Sequence, residues 1–212
     1  RTDRGNAFGR RVAIGDFNGD EKADLVIADH ASDLRPLSAE DQTGVQRDTG
    51  AVYIVPGGEF DDAPAENGIL APSLEYRYTG DSNGDSLGIG VAVGDYNADG
   101  HLDLIAGAYL DDPPGRGNAG KIWFFNGREG TFPLVEPTTK WNGTTGDMRL
   151  GEAVAVTGDY DGDGSPDIAA HSLRSDIAFR QAGHTFLLRA KTEAALEEAQ
   201  ELVEGDAVLT PV

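Results

Sequence analysis

Three short segments of the chain place oxygen-bearing side chains at the same alternating positions. They are residues 16–24, 95–103 and 159–167, and in each the oxygens fall at positions 1, 3, 5 and 9. Carboxylates and amides held this close repel one another unless a cation lies between them, and Ca²⁺ takes six to eight oxygen ligands. The pattern therefore predicts three calcium sites. We expect position 7 to contribute a backbone carbonyl oxygen and position 9 to bind as a bidentate carboxylate.

The candidate metal ligands form three equivalent sets of five residues. They are Asp16, Asn18, Asp20, Lys22 and Asp24; Asp95, Asn97, Asp99, His101 and Asp103; and Asp159, Asp161, Asp163, Ser165 and Asp167. The alternative is that these segments are acidic turns without a metal, because Asp, Asn and Gly are common turn formers. Three aligned copies favour the metal sites. Position 6 is Gly in two segments but Glu21 in the first, so a positive φ there would make the first site the weakest.

These segments differ from EF-hand loops at position 12. An EF-hand loop has a Glu there, whereas this chain has Ile27, Ala106 and Ala170. The residues after position 9 are a short apolar run instead of an amphipathic helical pattern. We therefore expect the segments to be loops that connect β-strands.

Composition limits the classes of function. The chain has 212 residues, 39% hydrophobic content and a net charge of -20, which allows a packed core but disfavours binding to nucleic acid or anionic membranes. It has no cysteine, and it has no apolar run long enough to insert into a membrane. It starts at Arg1 without a signal peptide, which we interpret as a mature or excised segment. Weak calcium sites are useful where calcium is abundant, so we expect a secreted or cell-surface location.

Each acidic segment lies inside a longer repeat. A strand of small and β-branched residues precedes it, an apolar strand follows it, and third and fourth strands come after polar connections. Such a four-stranded unit is typical of a propeller blade, so we predict an all-β chain of three blades at residues 1–78, 79–141 and 142–212. The third repeat has one extra residue, which predicts a bulge near Thr157. Residues 191–204 have a helical pattern and are predicted to be an insertion in the third blade.

The order of motifs in each repeat resembles a known family. Phe-Gly, Val-Ala, Gly-Asp, the acidic loop, Asp-Leu and Gly-x-Val-Tyr occur in that order in the first repeat, and the second has Gly107-Ala108-Tyr109 in place of Gly-Ala-Pro. This pattern is similar to the FG-GAP repeat of integrin α-subunit β-propellers and their bacterial relatives. Leu87 and Leu150 replace the Phe in the later repeats. The resemblance implies that the three blades are part of a larger, seven-bladed propeller, or of a ring completed by association of chains.

The resemblance also implies a function in recognition. It places structural Ca²⁺ in the strand 1–2 loops and a protein or glycan ligand on the opposite face. By position, that face is formed by residues 29–49, 79–86, 109–119, 142–149 and 171–182. We therefore expect a calcium-binding adhesion module that is not an enzyme and that contacts further propeller blades from the same or another chain.

Three other functions stay open. The chain could be an accessory propeller beside a secreted hydrolase, and a zinc-binding catalytic domain in the full reading frame would favour that function. It could be a lectin, with Tyr109, Trp123 and Trp141 stacking on sugars, although aromatic residues on third strands usually pack between blades. It could also be a structural subunit that assembles through open blade edges.

Overall fold

Three antiparallel β-sheets make up the part of the chain that the structure describes. The structure is a computed structural model, and it describes residues 7–33, 47–58, 76–130, 137, 139–162, 164–175, 182–189 and 207–209. Within these residues, all of the regular secondary structure is strand. The predicted helical insertion at 191–204 lies outside the described residues. In the described part of the chain, no helix is long and apolar enough to span a membrane.

Twelve strands follow one another as three four-stranded meanders, in which consecutive strands are neighbours. The first sheet contains β1 (Arg11–Gly15), β2 (Asp24–Asp29), β3 (Ala51–Val55) and β4 (Tyr76–Thr79); the second contains β5 (Leu87–Gly94), β6 (Asp103–Ala108), β7 (Lys121–Phe125) and β8 (Thr139–Asn142); the third contains β9 (Leu150–Gly158), β10 (Asp167–Ser175), β11 (Ala182–Arg189) and β12 (Ala207–Leu209). The predicted all-β class and the four strands of each unit are confirmed. The repeat boundaries stay a prediction, and β4 and β8 each end one residue beyond them.

The extra residue of the third repeat is a β-bulge. In the β9–β10 pair, Asp167 pairs with Gly158 but Ile168 pairs with Val156, so Thr157 has no partner residue across the ladder. The Thr157 hydroxyl donates a hydrogen bond to the Asp167 backbone carbonyl at 3.1 Å. The bulge predicted near Thr157 is therefore confirmed, and it keeps the acidic loop in register with its neighbours.

Side chains from adjacent sheets interdigitate to form two cores. The core between the first and second sheets includes Phe17, Ile54, Leu104 and Phe125, and the core between the second and third includes Tyr96, Phe124, Ile168 and Phe186. Each sheet alternates its apolar side chains between its two faces, as a buried strand requires.

Glycine lets the sheets approach closely at the starts of β3 and β7. Gly50 and Gly120 have φ of 74° and 80° and form parallel bridges to Leu87 and Leu150 of the next sheet. A Cβ atom on either glycine would overlap the backbone of the bridged leucine. Only glycine combines the left-handed conformation with this absence of a side chain.

The outer faces of the first and third sheets carry exposed apolar side chains. Val12 and Ile14 on β1 are 62% and 65% exposed, whereas the corresponding residues of β5, Val91 and Val93, are partly buried against the first sheet. At the other end, Tyr160 is 66% exposed. Exposure on the first sheet is confined to its first strand, because Ile27, Tyr53 and Val55 on the same face are buried.

Candidate metal centre

The three acidic segments connect the first and second strands of their sheets. Loop 1 (16–24) joins β1 to β2, loop 2 (95–103) joins β5 to β6, and loop 3 (159–167) joins β9 to β10. The loops consequently lie at the same end of the three meanders. Connections between second and third strands, and between one sheet and the next, lie at the opposite end.

The carboxylate at position 1 holds the loop backbone in a tight turn. Asp16 accepts hydrogen bonds from the backbone N–H groups of Gly19 (2.7 Å) and Glu21 (2.9 Å). In loop 3, Asp159 accepts the corresponding bonds from Gly162 and Gly164 at 2.7 and 2.9 Å. In loop 2, Asp95 accepts bonds from positions 5 and 6 at 3.1 and 2.9 Å. The repeated pattern turns the oxygens of each loop towards its interior.

Position 9 anchors the loop to its own sheet. Asp24 accepts bonds from Phe17 N (2.9 Å) and from Gly57 N (2.7 Å), the latter after β3. Asp103 accepts bonds from Tyr96 N (3.0 Å) and Gly127 N (2.9 Å) in the same way. Each oxygen keeps a second lone pair, so these bonds are compatible with binding a cation. The predicted bidentate role of position 9 stays a prediction.

Two positions in each loop require a left-handed backbone. Position 6 has φ of 65° at Glu21 and 93° at Gly100. A positive φ at this position was the condition under which the first site would be the weakest, and at Glu21 it costs more than it would at glycine. Position 4 is also left-handed, with φ of 71° at Gly19 and 58° at Ala98, which the sequence analysis did not predict because alanine rarely adopts this conformation.

Burial disfavours the ionised form of the acidic side chains unless a counterion is present. Burial raises the pKa of Asp103 to about 7, and the nearby Asp99 and Asp95 carboxylates add to this rise. Burial likewise raises the pKa of Asp24, with Asp20 and Asp16 contributing. A divalent cation among these groups would favour their ionised forms. The donor set of hard oxygens suits Ca²⁺.

The predicted ligands come together most clearly in loop 3. Carboxylate oxygens of Asp159, Asp161 and Asp167 all lie within 4.8 Å of one another. In loops 1 and 2 the residue at position 3 is an asparagine, whose side-chain oxygen accepts a bond from the backbone N–H of Asp20 at 3.1 Å or Asp99 at 3.0 Å. Asp163 lies outside the described residues.

The remaining predicted ligands are at position 7. In loops 1 and 2, the backbone N–H of this residue donates a hydrogen bond to the carboxylate at position 5. Lys22 N donates to Asp20 Oδ1 and His101 N donates to Asp99 Oδ1, at 2.9 and 2.8 Å. The expected contribution of the carbonyl oxygens of Lys22, His101 and Ser165 to a metal stays a prediction.

Sequence reasoning missed an ion cluster at the opposite end, between the first two sheets. Lys121 Nζ lies 2.8 Å from Asp111 and 3.2 Å from Asp81, and Lys140 Nζ lies 3.1 Å from Asp81 and 3.7 Å from the ring centroid of Trp123. Asp81 lies in the turn between β4 and β5, and it pairs with both lysines. The signal available in the sequence was Lys121 at the start of an otherwise apolar strand.

The pKa values of the carboxylates in this cluster shift in different directions. Burial raises the pKa of Asp85 to about 7, helped by the neighbouring Asp111 carboxylate. Burial also raises the pKa of Asp111 despite its pairing with Lys121. Asp81 is also partly buried, but bonds from Lys140 and Lys121 outweigh that effect and lower its pKa. The cluster therefore holds more carboxylates than its two lysines can neutralise.

The corresponding junction between the second and third sheets has no such cluster in the described residues. Met148 occupies the place of Asp85, and His184 occupies that of Lys121, because Ser172 pairs with His184 as Ala108 pairs with Lys121. Met148 and His184 are both 1% exposed. The two junctions thus share a backbone arrangement and differ in chemistry.

Two of these units match a known repeat family in sequence. Residues 8–55 and 87–125 match the FG-GAP repeat family, and both ranges contain one acidic loop and the strands around it. The chain carries FG-GAP repeats. FG-GAP repeats are β-propeller blades, and the first two sheets are two of them. The third sheet has the same strand order and the same loop hydrogen bonds.

Integrin α subunits are among the relatives of this FG-GAP chain. Integrin alpha-6 of Gallus gallus is 38% identical over 106 residues, which are 49% of this chain and 10% of that protein. Integrin alpha-V of Gallus gallus is 31% identical over 171 residues, 76% of this chain and 13% of that protein. Integrin alpha-PS2 of Drosophila melanogaster is 29% identical over 189 residues, 82% of this chain and 12% of that protein. The chain thus spans only 10–13% of the length of these relatives.

Proposed function

We propose that this FG-GAP chain is a calcium-stabilised propeller module for recognition of a protein ligand outside the cell or at its surface. The observation that carries the proposal is that three acidic loops of one design lie at the same end of three consecutive sheets. The match to FG-GAP repeats and the likeness to integrin α subunits support it. We infer a binding function and no catalysis.

Calcium has a structural function in this proposal. Positions 1, 3, 5 and 9 of each loop would hold one ion, with the position 7 carbonyl as a further ligand. The bound ion supplies positive charge that offsets the repulsion among the carboxylates. Because the unfolded chain does not hold these oxygens together, binding stabilises the folded state by mass action. One site at 100 times its dissociation constant contributes about 2.7 kcal/mol.

Thermal unfolding with and without calcium tests this function. For a chain of this size, about 2.7 kcal/mol per site corresponds to a rise in Tm of roughly 5–10 °C per site. Asp159→Asn should reduce the calcium-dependent rise, because it replaces the carboxylate that all three loops have at position 1 with an amide, a weaker calcium ligand. Asp147→Asn, which makes the same change of charge at an exposed position of the opposite end, is the matched control and should keep it. Equal Tm values in EGTA and in millimolar calcium would refute the proposal.

The face opposite the calcium loops is the proposed binding surface. It comprises residues 29–49, 79–86, 109–119, 142–149 and 171–182. Connecting loops on a rigid scaffold are where binding residues concentrate. The backbone N–H groups of the turns between sheets bond to these loops, for example Gly84 N to Arg47 O at 2.9 Å and Asp147 N to Gly117 O at 2.8 Å. Among the described residues, which leave out 34–46 and 176–181, these turns are therefore bonded to the loops of the preceding sheet.

A charge-reversal pair distinguishes the two faces. Arg47→Glu changes an exposed side chain on the proposed binding face, and Arg128→Glu makes the same change beside the calcium loops. We expect Arg47→Glu to weaken attachment to a panel of immobilised extracellular matrix proteins, and Arg128→Glu to leave it unchanged. The opposite ranking would place the binding surface on the calcium face.

We also propose that further FG-GAP sheets, from the same polypeptide or another chain, cover the two outer faces. The junction between the first and second sheets shows the contacts that such a neighbour would make. There, Asp81 on the turn after β4 pairs with Lys140 of the second sheet, and Lys140 Nζ lies over the Trp123 ring. On the first sheet, Arg77 lies over the Tyr53 ring at 5.7 Å in the corresponding arrangement. The outer face of the first sheet would thus accept an apolar sheet with an acidic turn.

The exposed faces also favour a second candidate, a subunit that assembles through them. Measurement of solution mass against concentration tests it: self-association that Ile14→Glu abolishes would support assembly, and a monomer at all concentrations would contradict it. The lectin alternative has less support, because Trp123 and Trp141 are 3% and 4% exposed and pack between sheets.

A further inference from the structure

The segment 126–130, which follows β7, contacts two acidic loops that belong to different sheets. On its own sheet, Gly127 N donates to Asp103 Oδ1 of loop 2 at 2.9 Å, and Asn126 Oδ1 accepts a bond from the Tyr96 hydroxyl. Towards the first sheet, Arg128 N and Gly130 N donate to carbonyl oxygens of loop 1. These oxygens are Phe17 O at 3.0 Å and Asn18 O at 2.8 Å.

Close packing leaves this segment little freedom to move independently of the loops. A Cβ atom on Gly127 would overlap the Leu102 carbonyl oxygen of loop 2 and lie 3.1 Å from Phe17 O of loop 1. The backbone and side chain of Glu129 lie against Gly19 of loop 1. Phe17 and Leu102 pack in the same core between the sheets. The backbone of 126–130 is therefore fitted between the two loops.

We propose that segment 126–130 couples loops 1 and 2, so that calcium bound in loop 1 raises the affinity of loop 2 for calcium. This inference rests on the proposed calcium sites. An ion in loop 1 fixes the ligands on either side of the Phe17 and Asn18 carbonyls. Those carbonyls then hold Arg128 and Gly130 in place. That holds the Gly127 N–H against Asp103, the last ligand of loop 2.

Such coupling arises because the first ion orders segment 126–130, so the second ion binds without the loss of conformational entropy that this ordering requires. It is reciprocal, so calcium in loop 2 raises the affinity of loop 1 by the same factor. Couplings of this kind typically change affinity by about 5-fold or more.

Site-resolved calcium titration of the full chain tests the coupling. The backbone N–H of Gly100 in loop 2 bonds to Asp95 and that of Gly164 in loop 3 bonds to Asp159, so the NMR shift of each glycine amide reports on its own loop. Asp20→Asn replaces a proposed carboxylate ligand of loop 1 with an amide, whose neutral oxygen is a weaker calcium ligand. We expect it to raise the calcium concentration at the Gly100 midpoint about 5-fold or more, with a smaller effect at Gly164.

A matched variant separates coupling from simple loss of charge. Glu21→Gln removes the same charge from loop 1 at an exposed side chain that is not a proposed ligand. It should move the Gly100 midpoint much less than Asp20→Asn does. A second variant, Gly127→Ala, displaces segment 126–130 itself and should make the midpoints of the two loops independent. Equal effects of Asp20→Asn and Glu21→Gln would overturn the coupling.

The remaining outcomes separate this inference from the proposed function. If calcium shifts both glycine amides in the parent chain but Asp20→Asn leaves the Gly100 midpoint unchanged, the coupling is wrong and the calcium sites stand. If Asp20→Asn raises the Gly100 and Gly164 midpoints equally, general loosening explains the result and the coupling is wrong. If calcium shifts no amide in any loop, the calcium sites and the coupling are refuted together.

Discussion

The aromatic residue at position 2 of the acidic loops offers a test of the sheet packing inside one chain. Phe17 in loop 1 and Tyr96 in loop 2 are 0% and 1% exposed, because the next sheet covers each of them, whereas Tyr160 in loop 3 is 66% exposed. The backbone bond to position 9 is present at all three, from Phe17 N, Tyr96 N and Tyr160 N. The three positions therefore differ mainly in burial of the side chain.

We predict that Phe17→Ala and Tyr160→Ala differ several-fold in their effect on stability. Removing a fully buried phenylalanine costs about 3–5 kcal/mol, from lost burial and the cavity left between the sheets. Removing a largely exposed ring costs within about 0.5 kcal/mol. At roughly 2–4 °C per kcal/mol for a chain of this length, Phe17→Ala should lower Tm by about 6–20 °C.

Urea unfolding, followed by tryptophan fluorescence, measures the difference. Trp123 lies in the core that Phe17 shares, and Trp141 lies in the next core, so the probe reports on both junctions. Both variants should be compared in saturating calcium, which keeps the loops in one state. Similar losses of stability for Phe17→Ala and Tyr160→Ala would show that the ring at position 2 does not pack under the following sheet, and the reasoning would fail.

Three further predictions concern the junctions. Asp85 has a pKa of about 7 in the folded chain and about 3.9 in the unfolded chain, so the folded chain loses stability as pH rises between these values. Asp85→Asn should remove this loss, so the free energy of unfolding of the variant minus that of the parent, measured in urea, should grow from pH 5 to pH 8. A constant difference would contradict the raised pKa of Asp85. Gly107→Ala places a Cβ atom over the Gly151 carbonyl oxygen and should cost about 1–3 kcal/mol. Gly117→Ala places a Cβ atom 4.0 Å from Asp112 Oδ1, which is an ordinary contact, and should change the free energy of unfolding by less than about 0.5 kcal/mol. Lys140→Met keeps the aliphatic stem but removes a partly exposed ion pair and a cation–π contact, so it should cost about 1 kcal/mol in low salt and less in 1 M NaCl; a salt-independent loss would indicate lost packing instead.

Features that depend on local spacing could be predicted from the sequence. The acidic loops, the strands around them and the bulge at Thr157 follow from residue types repeated at fixed distances. Alignment of Glu21 with glycine in the other copies pointed to the strain that a left-handed φ would cause there, and the structure has that φ. In each case the physical cause lies within a few residues along the chain.

Features that join distant segments could not be predicted in this way. The bonds from Arg128 and Gly130 to loop 1 use backbone groups, which carry no residue type that a sequence pattern could reveal. The Lys121 cluster assembles from a turn, a loop and a strand of two sheets, and its pairing depends on how those sheets face each other. Ala98 adopts a left-handed conformation because the loop around it imposes one.

The contrast between the two junctions has a consequence for how the array comes apart. The first junction is closed partly by Lys121 and its carboxylates, and the second by Met148 and His184. Ionic strength screens charge pairs but strengthens apolar burial when the salt is of the excluded type. Concentrated sulfate should strengthen the apolar cores of both junctions but also screen the ion pairs of the first, so it should stabilise the second junction more than the first. The amino-terminal sheet should then separate from the other two before they separate from each other.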